Sequence, residues 1–301
     1  PRALAETQVA FARKYDLDFI KLTPFGLYSV QDWGCKVKFT CTKDKVAVVE
    51  DHGIKHVSDW NKLQIFPEYY GTWGKQVQLA AHTKKLLRGN DIPFVQTIFS
   101  PLTTAWKLAG DRLFQDMREN PEIVHNALRV ITETTVNFIK ANIEAGVSGF
   151  FFATQCATTD LLTAEEYEEF GAKYDLRLFD EYKDITFFNI IHIHGKNVLF
   201  DRLAKYPGNC INWHDRLVGP SLKEARSITD KCLLGGIEEN TVLLNGSADQ
   251  VQNHVREAIE LGGTRKLIIG PGCVADPRTS EENYFAARLA LEQFIKQAAN
   301  Y

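Results

Sequence analysis

Methionine is nearly missing from this 301-residue chain, Met117 being the only one, and the expectation is that a segment carrying the natural start precedes Pro1. A basic excess is missing too. Lys and Arg number 35 against 38 Asp and Glu, a formal net charge of −3, so the surplus that holds a protein on nucleic-acid phosphates is absent. No run of about 18 uninterrupted apolar residues occurs, which argues against a membrane-spanning helix. Nor is there a charged leader followed by an apolar stretch and a cleavage site. The six cysteines, Cys35, Cys41, Cys156, Cys210, Cys232 and Cys273, lack the dense spacing of a disulfide-stapled secreted domain. They read as reduced thiols, and the chain as cytoplasmic. Glycine-rich phosphate turns are lacking as well, since no strand candidate runs into G-x-G-x-x-G or G-x-x-x-x-G-K-[ST].

What is present is alternation. Short apolar runs occur at Asp18–Leu22, Pro93–Phe99, Gly149–Thr154, Phe187–His194, Cys210–Trp213, Lys231–Gly236 and Lys266–Gly270. Segments of helical period separate them, at Ala5–Tyr15, Val77–Arg88, Pro121–Ala145, Ala164–Tyr182, Val198–Tyr206, Leu222–Thr229, Ala248–Leu261 and Ser280–Gln297. Repeated βα units around a parallel sheet produce this pattern. Asn120-Pro121 and Thr163 ahead of an acidic turn mark two helix starts. Residues 37–57 break the rhythm: two runs of period two flank Lys43-Asp44-Lys45 and predict an inserted β-hairpin.

With no repeat, low-complexity tract or linker, residues 1–301 read as one α/β domain. The expected fold is a (β/α)8 TIM barrel. Seven strands are visible where a closed barrel takes eight, and the eighth is expected before Pro1. A doubly wound open sheet is the structural alternative, without its phosphate turn. Glycines at strand ends (Gly195, Gly235-Gly236, Gly270, Gly272) suit a barrel rim.

The densest chemical signal is Ile190-Ile191-His192-Ile193-His194-Gly195. Residues i and i+2 of a strand share a face, so both imidazoles project together at a strand's C-terminal end, where parallel barrels place their sites. Cys273 follows another buried strand and a Gly-Pro-Gly turn and would reach the same rim. Two imidazoles, a thiolate and one open position make a catalytic zinc set. The bland alternatives are a hydrogen-bonded core histidine, a loop histidine and a small buried thiol. Ile211-Asn212-Trp213-His214-Asp215 ends the next strand with a third histidine beside a carboxylate. His214 could orient a ligand, carry protons or replace a metal ligand, while Asp215 could simply cap the next segment. Thr23, Gln96, Thr97, Gln155 and Glu238 are further polar groups at strand ends, each equally able to satisfy rim backbone.

Together, His192-Ile193-His194-Gly195, the Asn212-to-Asp215 run, Leu234-Gly235-Gly236-Ile237 and Gly270-Pro271-Gly272-Cys273 resemble the uroporphyrinogen decarboxylase superfamily, over about residues 1 to 297. The resemblance implies a (β/α)8 barrel and one of two chemistries. One is cofactor-free decarboxylation of uroporphyrinogen. The other is zinc-dependent methyl transfer between a methylcorrinoid protein and a thiol or pterin, and this branch is the nearer likeness. It implies zinc on His192, His194 and Cys273, protons handled by His214 or Asp215, and a pocket lined by Tyr28, Gln96, Gln155 and Glu238. A corrinoid (cobalamin) protein is the implied partner, alongside a small-molecule substrate; a homodimer is possible, and neither nucleic acid nor membrane is expected.

The chain departs from the pattern at His194, where that branch usually has cysteine. A His-Cys-Cys set leaves zinc formally neutral, whereas His-His-Cys leaves +1, making a bound thiolate less reactive and a bound water more acidic. The decarboxylase branch carries an arginine-rich opening element and a pyrrole-binding aspartate. Here no such arginines occur, and an ungapped count from Gly34 puts Phe25 at the aspartate position. A metal-free lyase and a noncatalytic tetrapyrrole- or corrinoid-binding barrel are the alternatives.

Overall fold

A computed structural model describes residues 1–40, 42, 45–89 and 92–298. Cys41 and the Lys43-Asp44 tip of the expected hairpin lie outside them. The main sheet has seven parallel strands: β1 (Ile20–Leu22), β4 (Phe94–Phe99), β5 (Gly149–Thr154), β6 (Ile190–Ile193), β7 (Cys210–Trp213), β8 (Cys232–Ile237) and β9 (Leu267–Pro271). They are ordered β1-β4-β5-β6-β7-β8-β9 with no reversal, which excludes the doubly wound alternative, whose strand order must switch direction. The sheet curls. At its two edges the helices Arg2–Lys14 and Glu281–Ala298 meet, with the rings of Tyr15 and Tyr284 4.8 Å apart and Arg288 paired to Asp18 at 3.1 Å. Among the described residues no eighth strand bridges β1 and β9.

The inserted hairpin is present but shorter than expected: β2 (Lys36–Lys38) pairs antiparallel with β3 (Val48–Asp51), and the chain beyond Asp51 leaves the ladder. Both strands are largely exposed, so little apolar burial extends the pairing. The helix expected over 164–182 starts as anticipated, with Thr163 and Glu166 forming a reciprocal capping box, but a π-turn at Glu168–Ala172 interrupts it. Helices Pro101–Ala109 and Arg112–Glu119 were not apparent in the sequence. The first is buried nearly all round, so it carries no apolar stripe to read.

Register decides which residues face the sheet's concave interior, because paired residues on adjacent parallel strands point to the same side. One interior rung reads Thr97, Phe151, Ile190, Cys210 and Cys232. The next, toward the strands' C-terminal ends, reads Phe99, Ala153, His192, Asn212, Leu234 and Ile268. Residues of opposite parity, such as Phe150 and Phe152, pack outward on Tyr182 and Phe179. His192 therefore stands inside, one rung below the rim.

Candidate metal centre

Three strand ends converge on one point. Cys273 Sγ lies 3.6 Å from His192 Nε2 and 3.7 Å from His194 Nδ1, and the three donor atoms lie within 4.8 Å of one another. A tetrahedral zinc with Zn–S near 2.3 Å and Zn–N near 2.0–2.1 Å requires an N···S edge of about 3.6 Å. The two N···S edges therefore match a tetrahedral metal, and the donor set suits one in chemistry. Cys273 can reach this point because Gly272 crosses the end of β7 so closely that a Cβ there would meet His214 Cα and the Trp213 carbonyl at 2.8 Å.

The tautomer of His192 follows from its neighbour. Asn212 donates its amide N–H groups to the carbonyls of Leu234 (2.9 Å) and Pro271 (3.2 Å), so its Oδ1 is the atom 2.6 Å from His192 Nδ1 and must accept. His192 then carries its proton on Nδ1 and turns the Nε2 lone pair toward Cys273. This arrangement orients metal-binding histidines generally. Phe151 stacks on the far side of the ring, 5.0 Å between centroids.

His214 joins the cluster. Its Nδ1 donates to the buried Glu239 Oε1 at 2.6 Å and its Nε2 sits 3.2 Å from His194 Nδ1. Glu239 Oε2 also accepts from the Gly272 N–H at 3.2 Å, tying the Cys273 turn to the same carboxylate. Cys273 and Glu239 push the His214 imidazole up to about 10 against desolvation. For Cys273, burial pushes upward but the imidazoles of His192, His194 and His214 gathered around the sulfur outweigh it, bringing the thiol down to about 3. The sulfur is a thiolate at neutral pH, the form that binds metal.

The other expected residues are not gathered here. Asp215 accepts the Gly236 N–H on both oxygens at 3.1 Å instead of touching His214, and burial raises it to about 6. Glu238 is engaged locally, accepting from the backbone of Asn240, Thr241 and Val242. The acid that reaches the cluster is its neighbour Glu239, because Gly236 at φ +100° interrupts strand alternation and shifts the inward face by one residue. Gln96, the partner of Phe150, faces the helices. Tyr28 is fully enclosed, donating to the Thr97 carbonyl at 2.9 Å between Trp73, Phe99 and Phe138, so it lines no open pocket. Gln155 follows β5 with the parity of Ala153, half-buried on the cluster's side.

Comparison with known proteins places the chain in a family. The sequence model of the uroporphyrinogen decarboxylase (URO-D) family matches residues 1–293. The chain belongs to the uroporphyrinogen decarboxylase family. Within that family it falls in the corrinoid methyltransferase branch. It is 23% identical over 284 residues to the methylcobamide:CoM methyltransferase MtbA of Methanosarcina acetivorans, covering 92% of this chain and 78% of that one. A methyltransferase from Methanosarcina mazei superposes with a TM-score of 0.78 at 20% identity, over 97% of this chain and 85% of the other. A B12-independent methionine synthase from Shewanella sp. W3-18-1 shares the fold at a TM-score of 0.69 and 14% identity, over 99% and 88%. The family's decarboxylase chemistry finds no support at Phe25, whose ring packs against Phe39 5.2 Å away.

Proposed function

We propose that this chain is a zinc-dependent methyltransferase that moves a methyl group between a corrinoid-binding protein and a small acceptor or donor. The carrying observation is the His192, His194 and Cys273 donor set, at zinc-compatible spacing on the strand ends of a corrinoid-methyltransferase relative. The same reading takes residues 1–301 as one (β/α)8 domain, an eighth strand filling the gap between β1 and β9. Bound zinc would supply Lewis acidity to the sulfur or oxygen of the small substrate.

The chain's own groups supply the rest. Cys273 offers a thiolate, Asn212 holds His192 in the ligating tautomer, and Phe151 walls the site from below. Raised to about 10, His214 is an imidazolium whose charge Glu239 stabilises, and its Nε2–H is placed to donate to an incoming thiolate or hydroxide. The +1 charge of a His-His-Cys set favours an anionic incoming ligand.

The test is direct. Zinc-loaded protein is mixed with methylcobalamin and a panel of thiols and pterins, and loss of the methyl–cobalt absorbance is followed. Turnover that needs zinc and disappears in Cys273→Ala supports the reading; equal rates with chelator and with the variant contradict it.

A further inference from the structure

The floor of the curled sheet carries a cysteine pair that the proposed reaction does not use. Cys210 opens β7 and Cys232 opens β8, at the strand ends away from the metal centre. The register sets them directly opposite each other, both facing the concave interior. Among the described residues they are the only cysteines that strand pairing brings together. Cys210 is 1% exposed and Cys232 half-buried, so one sulfur is shielded while the other meets solvent.

The helix Leu222–Ile228 places a cation beside Cys232. The Arg226 guanidinium is fixed at the start of β8 by donating to the carbonyls of Lys231 at 3.0 Å, Gly262 at 3.0 Å and Lys266 at 2.9 Å. Cys210 and this cation outweigh burial to bring the Cys232 thiol below its usual value, whereas Cys232 and burial hold Cys210 well above. The pair is polarised into a nucleophile, Cys232, and a resolving thiol, Cys210. Cys35 and Cys156 make the contrast, both buried and raised by desolvation.

Adjacent strands lie about 4.8 Å apart, inside the roughly 4.4–6.8 Å Cα window of a disulfide. In-register side chains leave the sheet in parallel, so their Cβ atoms stay near that spacing, slightly beyond the roughly 3.5–4.5 Å of a relaxed bridge. Closing the bond therefore draws β7 and β8 together, and a bond under that strain is readily reduced. Two residues up the same face, Asn212 of β7 joins the Leu234 carbonyl of β8 to His192 Nδ1.

We infer that Cys210 and Cys232 are a reversible oxidation site: a peroxide closes them into a disulfide that clamps β7 to β8 beneath Asn212 and loosens its hold on His192. The Cys232 thiolate attacks one peroxide oxygen, the O–O bond breaks, and a sulfenic acid forms while the departing hydroxide takes up the thiol's proton as water. The Cys210 sulfur then displaces hydroxide from that sulfur, its own proton leaving with it as a second water. Two thiols lose two electrons and two protons, and hydrogen peroxide takes up both. A small thiol reverses the bond by exchange. The oxidation site stands apart from the proposed methyl transfer; its effect through His192 rests on the proposed metal centre.

The test treats zinc-loaded protein with a small excess of hydrogen peroxide, caps free thiols with iodoacetamide and maps tryptic peptides. Residues 206–216 should be joined to residues 232–256, the link being undone by dithiothreitol. It should be absent from Cys210→Ala, where dimedone should instead trap the sulfenic acid on Cys232. Cys232→Ser, at the half-buried position, is the second control and should show neither. Chelator competition on oxidised wild type should show zinc held more weakly by up to about tenfold, recovering on reduction, with no change in peroxide-treated Cys210→Ala. Absence of the link, a link that forms only in urea-unfolded protein, or a Cys232 that stays alkylatable while other cysteines oxidise overturns the site. A link that leaves zinc affinity unaltered, or an equal loss of zinc from Cys210→Ala, overturns the coupling to His192. If the protein holds no zinc yet the link forms, the metal reading fails and the oxidation site stands.

Discussion

Replacing Asn212 with leucine should weaken zinc binding without touching a metal ligand. The side chain is fully buried and makes three hydrogen bonds, to His192 Nδ1 at 2.6 Å and to the Leu234 and Pro271 carbonyls at 2.9 and 3.2 Å. Leucine keeps the heavy-atom count and branching, so the loss is chiefly polar, with some overpacking added by its bulkier methyl groups. At roughly 1 kcal/mol net per bond, stability should fall by about 3 kcal/mol. His192 would also lose the acceptor that fixes its Nδ1–H tautomer, and removal of such an orienting partner typically lowers metal affinity about 10- to 100-fold. Competition with a chromophoric chelator measures the affinity, and urea unfolding of the metal-free protein measures the stability. Asn212→Asp separates the two effects: its carboxylate still accepts from His192, so affinity should match or exceed wild type. It cannot donate to the two carbonyls, so stability should still fall. A folded Asn212→Leu protein that binds zinc as tightly as wild type would refute the tautomer argument.

Neighbouring glutamates should behave differently: Glu239→Ala leaves the His214 Nδ1 and Gly272 N–H groups without their acceptor and should cost about 2 kcal/mol with weakened zinc retention. Glu238→Ala removes only the local cap and should cost about 1 kcal/mol with zinc unchanged; metal analysis and unfolding of the pair check both. The buried Asp175 carboxyl is raised to about 7 by burial despite hydrogen bonds from Tyr167 and Tyr206. It is therefore neutral in the fold but ionised in the unfolded chain between about pH 4 and 7, so stability falls as pH rises through that window. Asp175→Asn should flatten this slope, worth up to about 4 kcal/mol, in melting curves taken across the range. His194→Cys returns the donor set to formal neutrality; zinc acting on an oxygen donor should then work more slowly with a higher pH optimum, whereas faster thiol methylation by the variant would show that the histidine is merely tolerated.

The convergence of His192, His194 and Cys273 was legible because its signals are local and strict. Two histidines two apart on a strand must share a face, and a glycine directly after them marks the rim. Cys273 carried the same mark. What the sequence withheld was parity. β4 is buried on both faces, with no polar alternation to show which side Gln96 or Thr97 takes, and Gln96 turned toward the helices. At β8 the alternation was readable, but Gly236 at φ +100° broke it and exchanged Glu238 for Glu239. Asn212 was hidden for another reason: its role depends on what neighbouring strands bring beside it, the carbonyls of β8 and β9.

The decisive measurement is zinc-edge X-ray absorption on protein purified without chelators, combined with metal analysis of wild type and Cys273→Ser. The predicted result is close to one zinc per chain, with one sulfur near 2.3 Å and two or three nitrogens near 2.0–2.1 Å, the sulfur shell disappearing in the variant. Protein that retains no transition metal, or zinc whose first shell contains no sulfur, would contradict it.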